Sequence, residues 1–247
     1  MRNILITGVT GGIGFSLAHR LLESNYKVTG IYRNINDEIK NLKDKFPETF
    51  FSHEFDLMNI DALTDLVKYL AENYGSFGGF VHCAGFDKFS PLNLTKIDDI
   101  KNLWTIHALV PMLIISALSK KKFHDEKNTS IVLISSQAAH EGAMGHSAYA
   151  SAKGALEGYL KPASAELMEK NIRLNIACLA PIKTKMFENW FSILTPENQK
   201  KLSETYPLKL GEVLDAVNLI EFLLSEKSSF INGQIITADG GHSVRKI

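Results

Sequence analysis

The chain has 247 residues, of which 45% are hydrophobic, so it can bury a substantial core in one large domain or two small ones. Lysine plus arginine and aspartate plus glutamate each total 27, so no excess of positive charge draws the chain toward nucleic acid or an acidic membrane surface. The two cysteines lie far apart, no apolar run approaches the ~20 residues of a membrane span and the first residues show no cleavable leader, so we expect a cytoplasmic protein without nucleic-acid or membrane partners.

Short apolar runs alternate with longer amphipathic stretches along the whole chain. The predicted strands cover residues 3–7, 27–32, 50–55, 78–82, 130–135, 172–179 and 233–238. Helices are predicted where apolar residues recur every three or four positions, at 13–25, 60–75 and 215–227. Asp61 and Asp215 stand where N-caps belong. The alternation predicts an α/β fold, a single doubly wound Rossmann domain over residues 1–247 with a parallel seven-stranded sheet and helices on both faces.

A glycine-rich turn joins the first predicted strand to the first predicted helix. A pyrophosphate needs close backbone approach and free amide groups at a helix N-terminus, and glycines permit both. The plainer alternative is a tight turn with no ligand, but a place in the first strand-helix unit favours dinucleotide binding. The expected cofactor contacts are Gly8, Thr10, Gly11, Gly12, Ile13 and Gly14.

The spacing Thr-Gly-x-x-x-Gly-x-Gly resembles the cofactor turn of the short-chain dehydrogenases/reductases, and other landmarks of that family follow in order. They are Asp56-Leu57, His82-Cys83-Ala84-Gly85, Asn232-Gly233-Gln234 and Ala238-Asp239-Gly240-Gly241. The resemblance implies that Asp56 caps the adenine pocket beside Leu57, and that Cys83, Ala84 and Gly85 border the cofactor. In length and motif the chain is most similar to the 3-oxoacyl-[acyl-carrier-protein] reductases, a scaffold that many substrates share. Homodimers or homotetramers are usual in this family.

The second strand ends at Tyr32 and is followed by Arg33. NAD-preferring enzymes place a carboxylate at the end of this strand to bind the ribose 2′-hydroxyl, and here Tyr32 takes its place. Arg33 suits the 2′-phosphate of NADP, unless it is a solvated charge or stacks on adenine. The sequence therefore favours NADP, with NAD possible.

Ser136 ends a predicted strand, and Tyr149 and Lys153 follow in a helical segment. Residues four apart share one helix face, so a phenol and an ammonium group can converge on one ligand, and the ammonium and the positive nicotinamide ring are together expected to favour the phenolate. An ordinary pair on an amphipathic helix is the alternative, and Ser135 is the competing serine. The resemblance implies that Tyr149 exchanges the proton, that Lys153 tunes the phenol and binds ribose, and that Ser136 polarises the substrate oxygen. The resemblance also implies carbonyl and alcohol chemistry over double-bond reduction, because enoyl reductases of this superfamily space the tyrosine and the lysine more widely than four residues.

Three positions depart from the family pattern. His107 replaces an asparagine whose helix distortion holds a water for proton relay; a backbone carbonyl holding that water, relay through the imidazole, and an ordinary hydrogen-bonded histidine remain open. His82 replaces the first asparagine of its turn and is expected to lose a structural hydrogen bond. Ile182 replaces a glycine, while Pro181 and Thr184 remain to meet the nicotinamide amide and the phosphates.

Residues 182–211 form an insertion before the last helix that we expect to act as a substrate lid. The candidates facing a polar substrate are His140, Glu141, Met144 and His146, with Trp190 as pocket wall. No metal site is expected. The sequence therefore predicts an oxidoreductase that interconverts a carbonyl and an alcohol on a small molecule with NADP or NAD. The alternative is a catalytically silent regulator or scaffold that binds the same cofactor.

Overall fold

The computed structural model describes residues 1–244, so residues 245–247 of the predicted domain lie outside the described residues. These residues form a single α/β domain of the Rossmann type. All pairings are parallel, and the sheet order is β3-β2-β1-β4-β5-β6-β7. The strands are β1 (Asn3–Thr7), β2 (Lys27–Tyr32), β3 (Phe50–Glu54), β4 (Gly79–His82), β5 (Thr129–Ser136), β6 (Ile172–Leu179) and β7 (Ile235–Ala238). The predicted fold class is confirmed.

Helices cover both faces because successive strand residues point to opposite sides. Leu5 packs into the core beneath α3, α5 and α6, whereas its neighbours Ile4 and Ile6 pack beneath α1, α2 and α9. The helices are α1 (Gly12–Glu23), α2 (Asp37–Lys45), α3 (Leu63–Tyr74), α4 (Ile97–Trp104), α5 (Val110–Leu118), α6 (Ser147–Met168), α7 (Lys185–Phe191), α8 (Pro196–Glu204) and α9 (Val213–Leu224). The strand order reverses between β1 and β4, so a crevice opens at the carboxyl ends of these two strands.

Both predicted N-caps are wrong. Asp61 lies inside a 3₁₀ turn, Ile60–Ala62, that precedes α3. Asp215 is the third residue of α9, and its carboxylate accepts a hydrogen bond of 2.8 Å from the backbone of Glu212, the true N-cap. The two acids form a reciprocal capping box, in which an acid at the third position binds back to the cap residue.

A long apolar helix was missed. Residues 97–118 run as one helical segment, which among the described residues is long and apolar enough to cross a membrane by length and composition. Half of its most apolar window is buried inside the protein, and it packs against α3 and α6. We therefore read it as a core helix of the domain.

Candidate active site

The glycine-rich turn has the shape of a phosphate cradle. Gly8 adopts a φ of +72°, and a Cβ there would lie 2.6 Å from the backbone nitrogen of Ala84. A Cβ on Gly14 would lie 2.3 Å from the carbonyl oxygen of Gly8. The N-cap of α1 is Gly11, which has no side chain to bind the first amide groups of the helix. These amide groups therefore stay free for an anion. These residues fit the pyrophosphate of a dinucleotide.

The turn after β4 lies against this cradle and is fixed by His82. The Thr7 hydroxyl lies 2.8 Å from Nδ1 of His82, and Nε2 of the same ring donates to the Ile106 carbonyl oxygen at 2.8 Å. The expectation that His82 loses a hydrogen bond is therefore wrong, because the imidazole bonds at both nitrogens. Burial, with a smaller effect from Lys153, lowers the pKa of His82 to about 3, so the ring is neutral. Cys83, Ala84 and Gly85 follow at the edge of the crevice.

The loop after β6 closes the opposite side of the cradle. A Cβ on Gly12 would lie 3.2 Å from Cγ2 of Thr184, which caps α7. The side chain of Ile182 is buried in the core rather than turned to the crevice, and its backbone pairs with Gly211. Pro181 accepts a hydrogen bond of 3.2 Å from the Gly211 amide. Thr184 is thus the member of this group whose side chain meets the glycine turn.

The predicted adenosine end lies at the carboxyl edge of β2 and β3. Arg33 is exposed and makes no hydrogen bond or ion pair with any other residue in 1–244, so its guanidinium is free for a ligand. Asp56 is exposed and accepts a hydrogen bond of 2.9 Å from the Met58 amide, while Leu57 is buried. The side chain of Thr10 and the backbone of Ile13 lie in the glycine turn itself.

Ser136, Tyr149 and Lys153 converge at the end of β5. The Ser136 side chain lies near enough to the Tyr149 hydroxyl to lower the pKa of the phenol. The Lys153 Nζ lies 5.6 Å from the centroid of the Tyr149 ring and donates to the Ile134 carbonyl oxygen at 2.8 Å. Ser135, the competing serine, instead donates to Glu157 Oε1 at 2.6 Å. The structure therefore brings Ser136, and not Ser135, to the phenol.

Burial governs protonation at this centre. It raises the pKa of Tyr149, the charge of Asp87 adds to the rise, and the Ser136 side chain opposes it. Burial also lowers the pKa of Lys153 to about 8. Burial is therefore the largest influence on the Tyr149 pKa. The phenolate that the ammonium group and the positive nicotinamide ring are expected to favour together stays a prediction. The phenol is protonated at neutral pH and can donate a hydrogen bond.

His107 lies in a π-helical turn, Thr105–Leu109, between α4 and α5. The helix distortion of the family therefore persists without the asparagine. The ring is 2% exposed and stands edge-to-face against Tyr149, with centroids 5.1 Å apart. Burial and the charge of Lys153 hold the pKa of His107 well below its usual range. The argument that this imidazole has a pKa suited to proton relay is therefore wrong.

A polar and aromatic wall adjoins Tyr149, and sequence reasoning identified only part of it. Asp87 accepts a hydrogen bond from His146 Nε2 at 3.0 Å, and both side chains are mostly buried. Phe89 and Trp190 stand edge-to-face against the His146 ring, with centroids 5.6 and 6.3 Å away. Trp190 brings the insertion against the site. Asp87 and Phe89 were missed because they lie in a loop without periodicity.

The other candidates of the 137–146 loop point elsewhere. Met144 is 89% exposed, and Glu141 pairs with His242 at 3.2 Å. His140 pairs with Glu157 at 3.0 Å, and their ligand atoms lie within 4.8 Å of the Cys178 thiol. Burial raises the pKa of Cys178 to about 11, which keeps the thiol protonated. The expected lack of a metal site stays a prediction.

A family model described as enoyl-(acyl carrier protein) reductase matches residues 8–243, from the glycine turn to the end of the described chain. The 3-oxoacyl-[acyl-carrier-protein] reductase of Buchnera aphidicola is 29% identical over 241 residues, which cover 96% of this chain and 95% of the relative. The chain is a short-chain dehydrogenase/reductase. Another similar member of this family is the diacetyl reductase [(S)-acetoin forming] of Staphylococcus aureus, 29% identical over 98% of this chain and 97% of its own length.

Solved structures of other short-chain dehydrogenases/reductases superpose over the whole domain. A 4-hydroxyisoleucine dehydrogenase complexed with NADH has a TM-score of 0.91 and 26% identity, with all of both chains covered. ElxO with NADP bound has a TM-score of 0.87 and 26% identity over 99% of each chain. One neighbour holds NADH and the other NADP, so the likeness supports an oxidoreductase with a nicotinamide cofactor of either kind.

Proposed function

We propose that this protein is a carbonyl reductase or alcohol dehydrogenase that uses NADP in preference to NAD. The observation that carries the proposal is the convergence of Ser136, Tyr149 and Lys153 beside a glycine cradle that fits a dinucleotide. A half-buried phenol, a hydroxyl group and an ammonium group close together are suited to proton exchange at a substrate oxygen. The bound nicotinamide supplies hydride transfer.

Each residue of the centre has a defined task in this proposal. Ser136 and the protonated Tyr149 donate hydrogen bonds to the carbonyl oxygen, which holds the carbonyl in one orientation and favours charge developing on that oxygen. Tyr149 then gives its proton to the oxygen during reduction and takes it back during oxidation. Lys153 supplies positive charge behind the phenol and is placed to bind the ribose hydroxyls once it leaves the Ile134 carbonyl.

His107 acts in this proposal as a wall of the site, and the π-helical turn leaves a place for a relay water at the backbone. The Thr10, Ile13, Asp56 and Leu57 positions are assigned to the cofactor from the family resemblance. The insertion 182–211 acts as a substrate lid, with Trp190 as its contact to the pocket. We also propose a cytoplasmic location and a homodimer or homotetramer.

Arg33 carries the cofactor preference. Its free guanidinium follows β2, where a carboxylate would repel a 2′-phosphate. We expect Arg33→Asp to weaken NADPH binding at least about tenfold while NADH affinity changes little, because only NADPH loses a charge-assisted hydrogen bond. Fluorescence titration with both cofactors measures this. Lys68→Asp, at an exposed cation on α3, is the control, and equal losses for NADPH and NADH in Arg33→Asp would contradict the preference.

Two other activities are separated by one assay. The family model is named for enoyl reductases, so a ketone panel and an enoyl thioester panel are offered with NADPH, and its absorbance is followed. We expect turnover of ketones and little of the enoyl substrates. Turnover of enoyl substrates alone would replace carbonyl chemistry with double-bond reduction. Tight NADPH binding without turnover of either panel would favour the silent regulator.

A further inference from the structure

Two buried hydrogen-bond acceptors beside Tyr149 have no donor among the described residues. The first is Asp87 Oδ1, which is buried while the other carboxylate oxygen binds His146. His146 also bonds the Met144 carbonyl oxygen through Nδ1 at 3.2 Å, so both ring nitrogens carry protons in the bonded arrangement. This agrees with the raised pKa of His146, which the hydrogen bond to Asp87 causes. Asp87 is therefore a carboxylate with one oxygen left open.

The second acceptor is Nδ1 of His107. Its Nε2 lies 2.7 Å from the Phe86 carbonyl oxygen, and because a carbonyl can only accept, Nε2 carries the hydrogen. The buried ring is neutral, so Nδ1 holds a lone pair, and within residues 1–244 nothing donates to it. A buried acceptor without a donor destabilises the protein, and a charged one does so more strongly.

Both acceptors belong to side-chain groups that pack close to Tyr149. The His107 ring lies 5.1 Å from the Tyr149 ring, and the His146 ring, which holds Asp87, lies 6.4 Å from it. The charge of Asp87 acts on the Tyr149 hydroxyl. The hydroxyl groups of Ser136 and Tyr149 serve a carbonyl oxygen, so this part of the pocket offers donors at one point and unpaired acceptors next to it.

We propose that the substrate carries a hydroxyl group on the carbon next to the reacting carbonyl, and that Asp87 Oδ1, the charged member of the two acceptors, accepts the hydrogen bond of that hydroxyl. The reaction would then interconvert an α-hydroxyketone and a vicinal diol, and this inference rests on the proposed function. In the reduction, the C=O bond becomes C–OH through a proton from Tyr149 and a hydride whose loss oxidises the nicotinamide, while the neighbouring hydroxyl is unchanged.

The test compares ligands that differ by one hydroxyl. Calorimetry gives the affinity of butane-2,3-diol and of butan-2-ol, with and without NADP⁺, and kcat/KM is measured for 3-hydroxybutan-2-one and butan-2-one with NADPH. We expect the hydroxylated member of each pair to be preferred at least about tenfold, because a site built for a hydroxyl leaves its acceptor unpaired with the other ligand. Asp87→Asn and Asp87→Leu should reduce that preference to less than about threefold. Asp65→Asn, an exposed acid on α3, is the matched control and should keep the preference.

The outcomes separate this inference from the proposed function. Equal affinity for the two alcohols and equal turnover of the two ketones would overturn the hydroxyl inference and leave the carbonyl reductase intact. A hydroxyl preference that survives in both Asp87 variants would overturn the role of Asp87. A preference in binding without turnover of either ketone would support the hydroxyl site and contradict the oxidoreductase function.

Discussion

Burial decides the charge of the polar residues around the reaction centre. Lys153 is 5% exposed, His82 is 3% exposed and His107 is 2% exposed, and burial is the largest influence on the pKa of each. Both imidazoles are therefore neutral, and the ammonium group of Lys153 is held at a cost to stability. Such a cost is expected where function requires a charge in a poorly hydrated place.

Replacing Lys153 by methionine should stabilise the protein and abolish activity. The pKa of Lys153 is about 8 in the folded protein against 10.5 for the free side chain, so the unfolded chain binds more protons between these values and stability rises with pH there. We expect Lys153→Met to raise the free energy of unfolding by roughly 1–3 kcal/mol at pH 7, after the lost hydrogen bond to Ile134 is counted. The gain should be full below pH ~8 and vanish above ~10.5.

Urea denaturation at several pH values measures this difference. Lys161→Met, an exposed lysine on the same helix, is the matched control and should show no such pH dependence. If the free energy of unfolding of Lys153→Met equals that of the wild type at every pH, the buried ammonium group does not destabilise the folded protein.

At the residue scale, the sequence predicted which residues form the reaction centre better than it predicted how buried they are and what they bind. The intervals between Ser136, Tyr149 and Lys153 were readable because a strand end and one helix turn have fixed dimensions. The influence of burial on the Tyr149 pKa was not, because burial is set by contacts between segments far apart in the chain, such as the His107 ring against Tyr149. The open acceptor of Asp87 could not be predicted either, since its partner His146 is far along the chain.

At the scale of elements, two helical glycines show opposite requirements. Gly14 is the third residue of α1, where a Cβ would meet the Gly8 carbonyl oxygen at 2.3 Å, whereas nothing lies within 4 Å of a Cβ on Gly158 in α6. One glycine is needed for backbone approach, and the other only weakens a helix.

Alanine substitution at these positions should therefore act in opposite directions. We expect Gly14→Ala to lower stability by roughly 1–3 kcal/mol and to weaken NADPH binding at least about tenfold, because the turn must shift. Gly158→Ala should raise stability by about 0.5–1 kcal/mol through helix propensity and leave NADPH binding unchanged. Thermal unfolding and cofactor titration check both. Unchanged NADPH affinity in Gly14→Ala would contradict the cradle.

Most elements were predictable because the two periodicities differ clearly. The seven strands fall within two residues of their predicted bounds, as β7 at Ile235–Ala238 shows. The caps were not predictable, since Glu212 and Asp215 are both acids that suit a first turn, and only their mutual hydrogen bonds decide which one caps. The segment 97–118 was misjudged because charged residues at its start hide the apolar run that follows.

At the scale of the whole molecule, strand order follows from the right-handed crossovers of a doubly wound sheet, which place the cofactor crevice at the reversal between β1 and β4. The residues that join one subunit to another could not be predicted from the sequence. Large apolar side chains remain exposed on and before α4, with Leu92, Leu94 and Ile97 exposed by 80, 63 and 66%. Such a patch is typical of an interaction surface.

This surface predicts self-association. Sedimentation should give a mass that is twice or four times the 27.5 kDa of one chain. We expect Ile97→Lys to shift the population toward monomer, because a charge would be buried at the interface. Met168→Lys, an exposed apolar residue at the end of α6, is the control. A wild-type protein that sediments as a monomer at micromolar concentration would contradict the predicted assembly.

The central claim is that the Tyr149 hydroxyl exchanges the proton with the substrate oxygen, and removing that one oxygen atom tests it most directly. The measurement is kcat/KM for ketone reduction by Tyr149→Phe beside NADPH affinity, with Tyr159→Phe on the same helix as the matched control. The account predicts a loss of at least about 100-fold in Tyr149→Phe with NADPH binding retained, and near wild-type activity in Tyr159→Phe. Tyr149→Phe turning over ketones at the wild-type rate would contradict it.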